Sequence, residues 1–250
     1  MCTMTTDTSH HRQNAVPATV RIYLIRHGET AWSLQGLHTG RTDVALTAHG
    51  EEQAQGLARG LQSIVFAQVW TSPSKRAQDT CRLAGLGAQA QAQRDLLEWD
   101  YGDYEGLRTA QVLRHRPDWA LHRHGCPGGE SPVQVGARAD RLCARLRALH
   151  GNVVLFAHGQ FGAVLGARWI GLPVGLARHF PLAPASVSVL SLDPRHPGVP
   201  DIALWNALAS GRTDALFITD APSHAAPPAV VAPPVPAGGG APTVPRVLST

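Results

Sequence analysis

The sequence predicts an α/β fold, a three-layer α/β/α sandwich built on a mainly parallel central sheet. Three observations lead there. Short apolar runs alternate along the chain with longer segments of helical periodicity. The apolar runs are continuous rather than alternating, as strands covered on both faces require. Helix start and stop signals fall between the runs, as crossover connections require.

Residues 20–25 (VRIYLI) read as the first strand. Residues 47–61 read as a helix capped by Thr47, with Ala54, Leu57, Ala58 and Leu61 on one face. Residues 64–70 form a second strand. Ser72-Pro73 then supplies a cap and first-turn proline for a helix running to Ala84. Ser131-Pro132 repeats that signal. Its helix carries Val135, Ala139, Leu142, Leu146 and Leu149 on one stripe and stops at Gly151. Residues 153–156 are a third apolar strand, followed by a helix to Ile170 closed by Gly171 and Pro173. Residues 186–192 and 202–205 read as further strands.

Hydrophobic content of 44% against 16% charged residues supports a sizeable core, and the chain contains no apolar run long enough for a transmembrane helix. The formal charge of +4 comes almost entirely from scattered arginines, with Lys75 the sole lysine. A nucleic-acid binder gathers its basic residues into a run or face; this balance suits an anionic small substrate. Cys2, Cys81, Cys126 and Cys143 match neither a zinc pattern nor a CxxC motif, so reduced thiols in a cytoplasmic protein are expected. Residues 1–18 are polar, lack the apolar core of a signal peptide and read as a flexible leader. Residues 221–250, rich in Pro, Ala and Gly, read as a disordered tail.

In such a sheet, ligands bind beyond the carboxyl ends of the strands. Three junctions qualify: Arg26-His27-Gly28 after the first strand, residues 72–76 after the second, and Ala157-His158-Gly159 after the third. Two of them give His-Gly, and two give an arginine near the sheet edge. Arginine forks match phosphate oxygens, and helix N-termini attract anions. Together they describe a phosphoryl pocket. Cleavage needs a nucleophile and an acid as well. A neutral histidine between arginines is a competent nucleophile, because the arginines lower its pKa. The acid candidates lie in LLEWDYGDYEGL: Glu98, Asp100, Asp103 and Glu105. Glu98 follows Leu96-Leu97 and is the most desolvated of the four by position, though spacing alone does not settle the choice.

The motifs LIRHGETAW, TSPSKRAQDT, LLEWDYGDYEG and LFAHGQF, in this order, resemble those of the histidine phosphatase superfamily, which includes the phosphoglycerate mutases. HTGRTDVALTAHG and GGES also resemble recurring family segments. The resemblance spans residues 20–206 and implies a phosphoglycerate mutase-like fold over residues 19–220. It implies that His27 becomes phosphohistidine, that Arg26, Arg76 and His158 hold the phosphoryl group, and that Glu98 moves the proton. It implies substrate contacts for Thr39, Gly40 and Tyr101. Ser33 stands where the mutases carry asparagine, its hydroxyl still able to reach phosphate. Gly159 and Gln160 follow the second histidine and line the rim. No metal or organic cofactor is implied.

Mutases carry a basic segment after the acid glutamate. Here EWDYGDYEGL is acidic and aromatic, resembling the branch of broad-specificity acid phosphatases and sedoheptulose bisphosphatases. Hydrolysis of small phosphorylated metabolites is therefore expected, with a phosphoglycerate mutase and a non-catalytic phosphate-binding module as the alternatives. A zinc hydrolase lacks a carboxylate beside the strand-end histidines. His122, His124 and Cys126 read as a loop, and Trp99 and Tyr101 serve equally well as packing aromatics. A homodimer is allowed; nucleic-acid and membrane partners are not expected.

Overall fold

Residues 19–208 are described by the computed structural model. The expected leader (residues 1–18) and tail (residues 221–250) lie outside the described residues. One sheet of six strands runs through the described part. The strands are β1 (Arg21–Arg26), β2 (Phe66–Thr71), β3 (Ala90–Ala92), β4 (Asn152–Ala157), β5 (Val187–Leu192) and β6 (Pro200–Ala207), in the order β3-β2-β4-β1-β5-β6. The first four are mutually parallel; β5 runs against β1 and β6 against β5. The mainly parallel sheet is as expected. β3 is new, because its three residues Ala-Gln-Ala carry no apolar run.

The helices are α1 (Ala31–Gln35), α2 (Ala48–Leu61), α3 (Lys75–Leu83), α4 (Thr109–His115), α5 (Leu121–His124), α6 (Pro132–Arg147) and α7 (Gly159–Trp169). The short α1, α4 and α5 lack an apolar stripe and leave no clear periodic signal in the sequence. Side chains alternate across the central strands, and the two sets meet different helices. Ile22, Leu24, Val153 and Leu155 pack with Val135, Leu142 and Leu146 of α6 and Phe161 and Leu165 of α7. Tyr23, Ile25, Val154 and Phe156 pack with Leu57 and Leu61 of α2 and Cys81 of α3. The result is the three-layer sandwich. Burying a Leu or Phe side chain in such layers is worth about 1.5–3 kcal/mol.

Thr47 caps α2 by accepting from the Gly50 N–H (3.0 Å), and Ser131 caps α6 through a reciprocal bond with Gln134. One helix start differs from expectation. α3 begins after Ser74, not at Ser72, and Ser74 makes no side-chain cap. The Lys75 N–H instead donates to Asp43 Oδ1 at 2.8 Å. A carboxylate from a neighbouring loop thus caps α3, which frees Ser72 and Ser74 for another use.

Candidate active site

Strand register brings the functional residues together. Arg26 pairs with Ala157 and Thr71 with Phe156, so β1, β4 and β2 end nearly level. The residue after each strand emerges on the same edge: His27, His158 and Ser72. Adjacent strands lie about 4.8 Å apart, and the two histidine rings sit 5.2 Å apart in a T-shaped arrangement.

His27 is 5% exposed. Its Nδ1 lies 2.7 Å from the Gly28 carbonyl, which can only accept, so the ring proton is on Nδ1. The lone pair is left on Nε2, and the residue lines a cavity of about 630 Å³. Burial lowers the His27 pKa well below its ordinary value, with Arg26 and then Arg76 adding to the shift. Sequence reasoning named the arginines; burial is the larger cause. Gly28 is required by close packing: a Cβ there would stand 2.4 Å from the Gly50 carbonyl oxygen at the start of α2. Its N–H donates to Thr80 Oγ1 (3.0 Å), which donates to the Arg76 carbonyl (2.7 Å), linking the turn after β1 to α3.

His158 is fully buried at the start of α7, and its Nε2 is 2.8 Å from Ser72 Oγ and 3.2 Å from Ser74 Oγ. The Ser74 N–H donates to Ser72 Oγ (3.4 Å), and the two serine hydroxyls lie 3.2 Å apart, so Ser72, Ser74 and His158 Nε2 form one hydrogen-bonded cluster. Burial, followed by Arg76, His27, Arg26 and Arg138, holds the His158 pKa well below the usual range.

Arg76 is also fully buried. Its Nη1 donates to the Thr42 carbonyl (3.0 Å), and its Nη2 donates to those of Thr39 (3.2 Å) and Gly40 (3.0 Å). Arg26 donates to the Leu182 carbonyl. Arg26 Nε, Arg76 Nε and His158 Nδ1 are buried with no hydrogen-bond partner among the described residues; Arg26 lines the cavity, whereas Arg76 and His158 do not line it but lie within electrostatic reach of His27.

Glu98 is 8% exposed and accepts three backbone N–H bonds. Trp99 (2.8 Å) and Phe161 (2.7 Å) donate to Oε1, and Gln160 (3.0 Å) donates to Oε2. Two of these donors belong to the first turn of α7. Oε2, with a single donor, is the oxygen with coordination to spare. Among the four carboxylates of the acid-bearing loop, Glu98 alone lines the cavity.

The rim residues separate into two groups. Tyr101, Thr39, Gly159 and Gln160 line the cavity, with Tyr101 stacked on His38 at 4.7 Å. Gly40 does not: its N–H donates to both Glu105 oxygens (2.8 and 3.0 Å) and its carbonyl accepts from Arg76. Its carbonyl thereby helps to hold the Arg76 guanidinium. Ser33 lines the cavity, but its hydroxyl is committed to the capping box of α1, accepting from the Thr30 N–H (2.9 Å) and donating to the Thr30 carbonyl (3.0 Å). The expected phosphate contact of Ser33 therefore costs that cap.

Sequence reasoning missed Ser72 and Ser74 as histidine partners, and missed the outer wall of Trp119, His122, Phe180 and Leu182. The sequence reads His122 as part of a loop. It lies on α5, edge-on to Trp99 at 5.6 Å, and burial lowers its pKa to about 4. No group of three or more metal-ligating side chains is gathered among the described residues, and no helix there is long and apolar enough to cross a membrane.

The two buried neutral histidines make a stability prediction. In the unfolded chain each takes up its proton near pH 6.5. In the fold both pKa values are depressed. Protonation therefore favours unfolding, and stability falls as pH drops below about 6.5, by up to about 1.4 kcal/mol per histidine per pH unit. Urea denaturation from pH 7 to 5 should show that slope, reduced by about one proton in His158→Gln. An unchanged slope in the variant would mean that His158 is not the group taking up the proton.

The family model described as histidine phosphatase superfamily (branch 1) matches residues 22–207. The chain is 42% identical over 177 residues to an acid phosphatase of Mycobacterium tuberculosis, covering 69% of this chain and 87% of that one. It is 35% identical over 190 residues to sedoheptulose 1,7-bisphosphatase of Saccharomyces cerevisiae, covering 62% and 69%. A solved structure of an open reading frame product from Mycobacterium tuberculosis superposes with a TM-score of 0.70 at 38% identity, covering 76% of this chain and 98% of that one. With two histidines, two arginines and a buried glutamate converging at the sheet edge, the chain belongs to the histidine phosphatase superfamily, branch 1.

Proposed function

We propose that the protein hydrolyses small phosphomonoesters through a phosphohistidine on His27. The observation that carries this reading is the gathering of two buried arginines and a second buried histidine around His27, with Arg26 Nε, Arg76 Nε and His158 Nδ1 left without a hydrogen-bond partner among the described residues. Two guanidinium groups with donors to spare near a neutral imidazole Nε2 suit a group with several anionic oxygens and an electrophilic centre. The phosphatase names of the two relatives support hydrolysis as the outcome.

His27 Nε2 attacks phosphorus as the bond from phosphorus to the leaving oxygen breaks. Arg26, Arg76 and His158 take the charge on the phosphoryl oxygens. Glu98, through Oε2, gives its proton to the leaving oxygen, which departs as an alcohol. The same carboxylate then accepts a proton from water as that water attacks the phosphohistidine. Phosphate leaves and His27 is restored. The leaving group occupies the outer cavity, between Tyr101, Trp119 and Phe180. A cytoplasmic setting belongs to this proposal, supported by Cys81, Cys126 and Cys143 being unpaired, with burial pushing each thiol up to about 12.

The test is a panel of phosphate esters including 3-phosphoglycerate, with free phosphate and 2-phosphoglycerate both followed. Phosphate release without isomerisation is expected; fast isomerisation with little phosphate would make the protein a mutase. The acid is tested separately. Glu98→Gln should lose about 10²–10⁴ in rate on alkyl phosphates, and far less on p-nitrophenyl phosphate, whose leaving group needs little protonation. Equal losses on both would remove Glu98 from the proton transfer.

A further inference from the structure

Arg138 is 8% exposed, although it projects from the apolar face of α6. Its guanidinium spends every nitrogen. Nη1 donates to the Asp95 (3.0 Å) and Leu97 (2.6 Å) carbonyls, and Nη2 donates to the Glu98 carbonyl (3.3 Å). Nε and Nη2 also form a two-pronged pair with Glu130, at 3.0 and 2.7 Å. The guanidinium lies 4.2 Å over the ring of Phe161, the residue whose N–H holds Glu98 Oε1.

Glu130 closes the frame from the other side. Its Oε2 accepts from the Asp100 N–H (3.0 Å), its N–H donates to the Asp100 carbonyl (2.9 Å), and its carbonyl accepts from Trp99 Nε1 (2.9 Å). The two residues therefore grip the backbone on both sides of Glu98 without touching the cavity; neither lines it.

We propose that Arg138, with Glu130, is a positioning residue that fixes the Glu98 carboxylate for proton transfer to the leaving group. This rests on the role proposed for Glu98. The physical reason is geometric. Glu98 sits between a short 3-10 turn (Arg94–Leu96) and an irregular loop, with no regular ladder to set its depth. A planar five-donor fork that binds the carbonyls of Asp95, Leu97 and Glu98 together with a carboxylate fixes a backbone as a lysine could not. Loss of the fork lets Oε2 drift from the leaving oxygen, while the phosphoryl clamp of Arg26, Arg76 and His158, held by other elements, stays in place.

The experiment compares Arg138→Gln, Glu130→Gln, Glu98→Gln and the double variant of Glu98 and Arg138 on glycerol 3-phosphate and p-nitrophenyl phosphate. Inhibition by vanadate reports the phosphoryl clamp. Expected is a fall in kcat/KM for Arg138→Gln at least about tenfold greater on glycerol 3-phosphate than on p-nitrophenyl phosphate. Vanadate inhibition should change little. The double variant should lose no more on glycerol 3-phosphate than Glu98→Gln alone, because one function cannot be removed twice. A merely structural arginine would weaken both substrates and vanadate alike, and that result, with Glu98→Gln still selective, overturns the proposal. Should Arg138→Gln fail to fold, Glu130→Gln carries the same comparison, and a folded, unselective Glu130→Gln overturns it equally. If Glu98→Gln is itself unselective, the acid assignment fails first and takes the positioning role with it.

Discussion

His27→Ala is expected to abolish turnover while leaving the fold in place. The loss should be on the order of 10⁴–10⁶ in kcat, the scale seen when a covalent nucleophile is removed from other hydrolases. The expectation follows from the absence of a substitute. His158 is the other imidazole at the sheet edge, but its Nε2 is engaged by Ser72 and Ser74. The fold should persist because the β1 turn is held by backbone groups: the His27 N–H donates to the Ala157 carbonyl (3.0 Å) and Gly28 to Thr80. The check is a kcat measurement beside a circular dichroism melt. Quench of the wild type during turnover should show a phosphate mass on the intact chain that the variant lacks. Wild-type-like turnover in His27→Ala would end the phosphohistidine mechanism.

Arg76→Ala should cost both activity and stability, by separable routes. The guanidinium bridges the substrate region and the loop at residues 39–42, where three carbonyls depend on it. Removing it leaves the buried Gly40 carbonyl and two part-buried ones unpaired, together with a cavity, for a loss of about 3 kcal/mol or more. In a domain of this size that lowers Tm by roughly 6–12 °C. The lost donor at the phosphoryl group should take about 10²–10³ from kcat/KM in addition. Arg76→Lys separates the two effects. It restores the charge, but a single ammonium cannot reach three carbonyls and the cavity together. Most of the catalytic loss should remain. A wild-type kcat/KM in Arg76→Ala, measured below its melting range, would remove this residue from the phosphoryl clamp.

The strand ends were legible because continuous apolar runs stop abruptly at polar residues, and the register then follows from pairing those runs. Thus Arg26, His27 and His158 were found where the sheet edge puts them. Ser72 was misread because Ser-Pro is a good helix-start signal on its own, and nothing local reveals that Asp43 caps α3 from another loop. The family resemblance places Gly40 and Ser33 at substrate, and nothing in the sequence shows their partners within the fold. Their actual bonds, to Glu105 and Arg76 for one and to Thr30 for the other, depend on tertiary contacts or on rotamer choice. Arg138 did leave a signal. It falls three residues after Val135 and four before Leu142, inside an apolar stripe. A charge in that position has to find partners in the interior, and here it finds the loop that carries Glu98. The outer wall was invisible because α5 and the turn before β5 are short, aperiodic pieces joined only in space.

The strand order has a consequence for how the protein is made. β1 and β2 are synthesised early yet never pair with each other; β4 lies between them. From the time residue 26 leaves the ribosome until residue 157 does, β1 has neither of its eventual neighbours. At bacterial or eukaryotic translation speeds that wait is on the order of ten seconds. Throughout it, the run ending in Arg26-His27 is an apolar segment with open edges, the kind that chaperones shield and that aggregates when they do not. Insertion of β4 covers one of those edges and in the same step brings His158 beside His27, while the other edge waits for β5. The two histidines thus meet only when the parallel part of the sheet is joined.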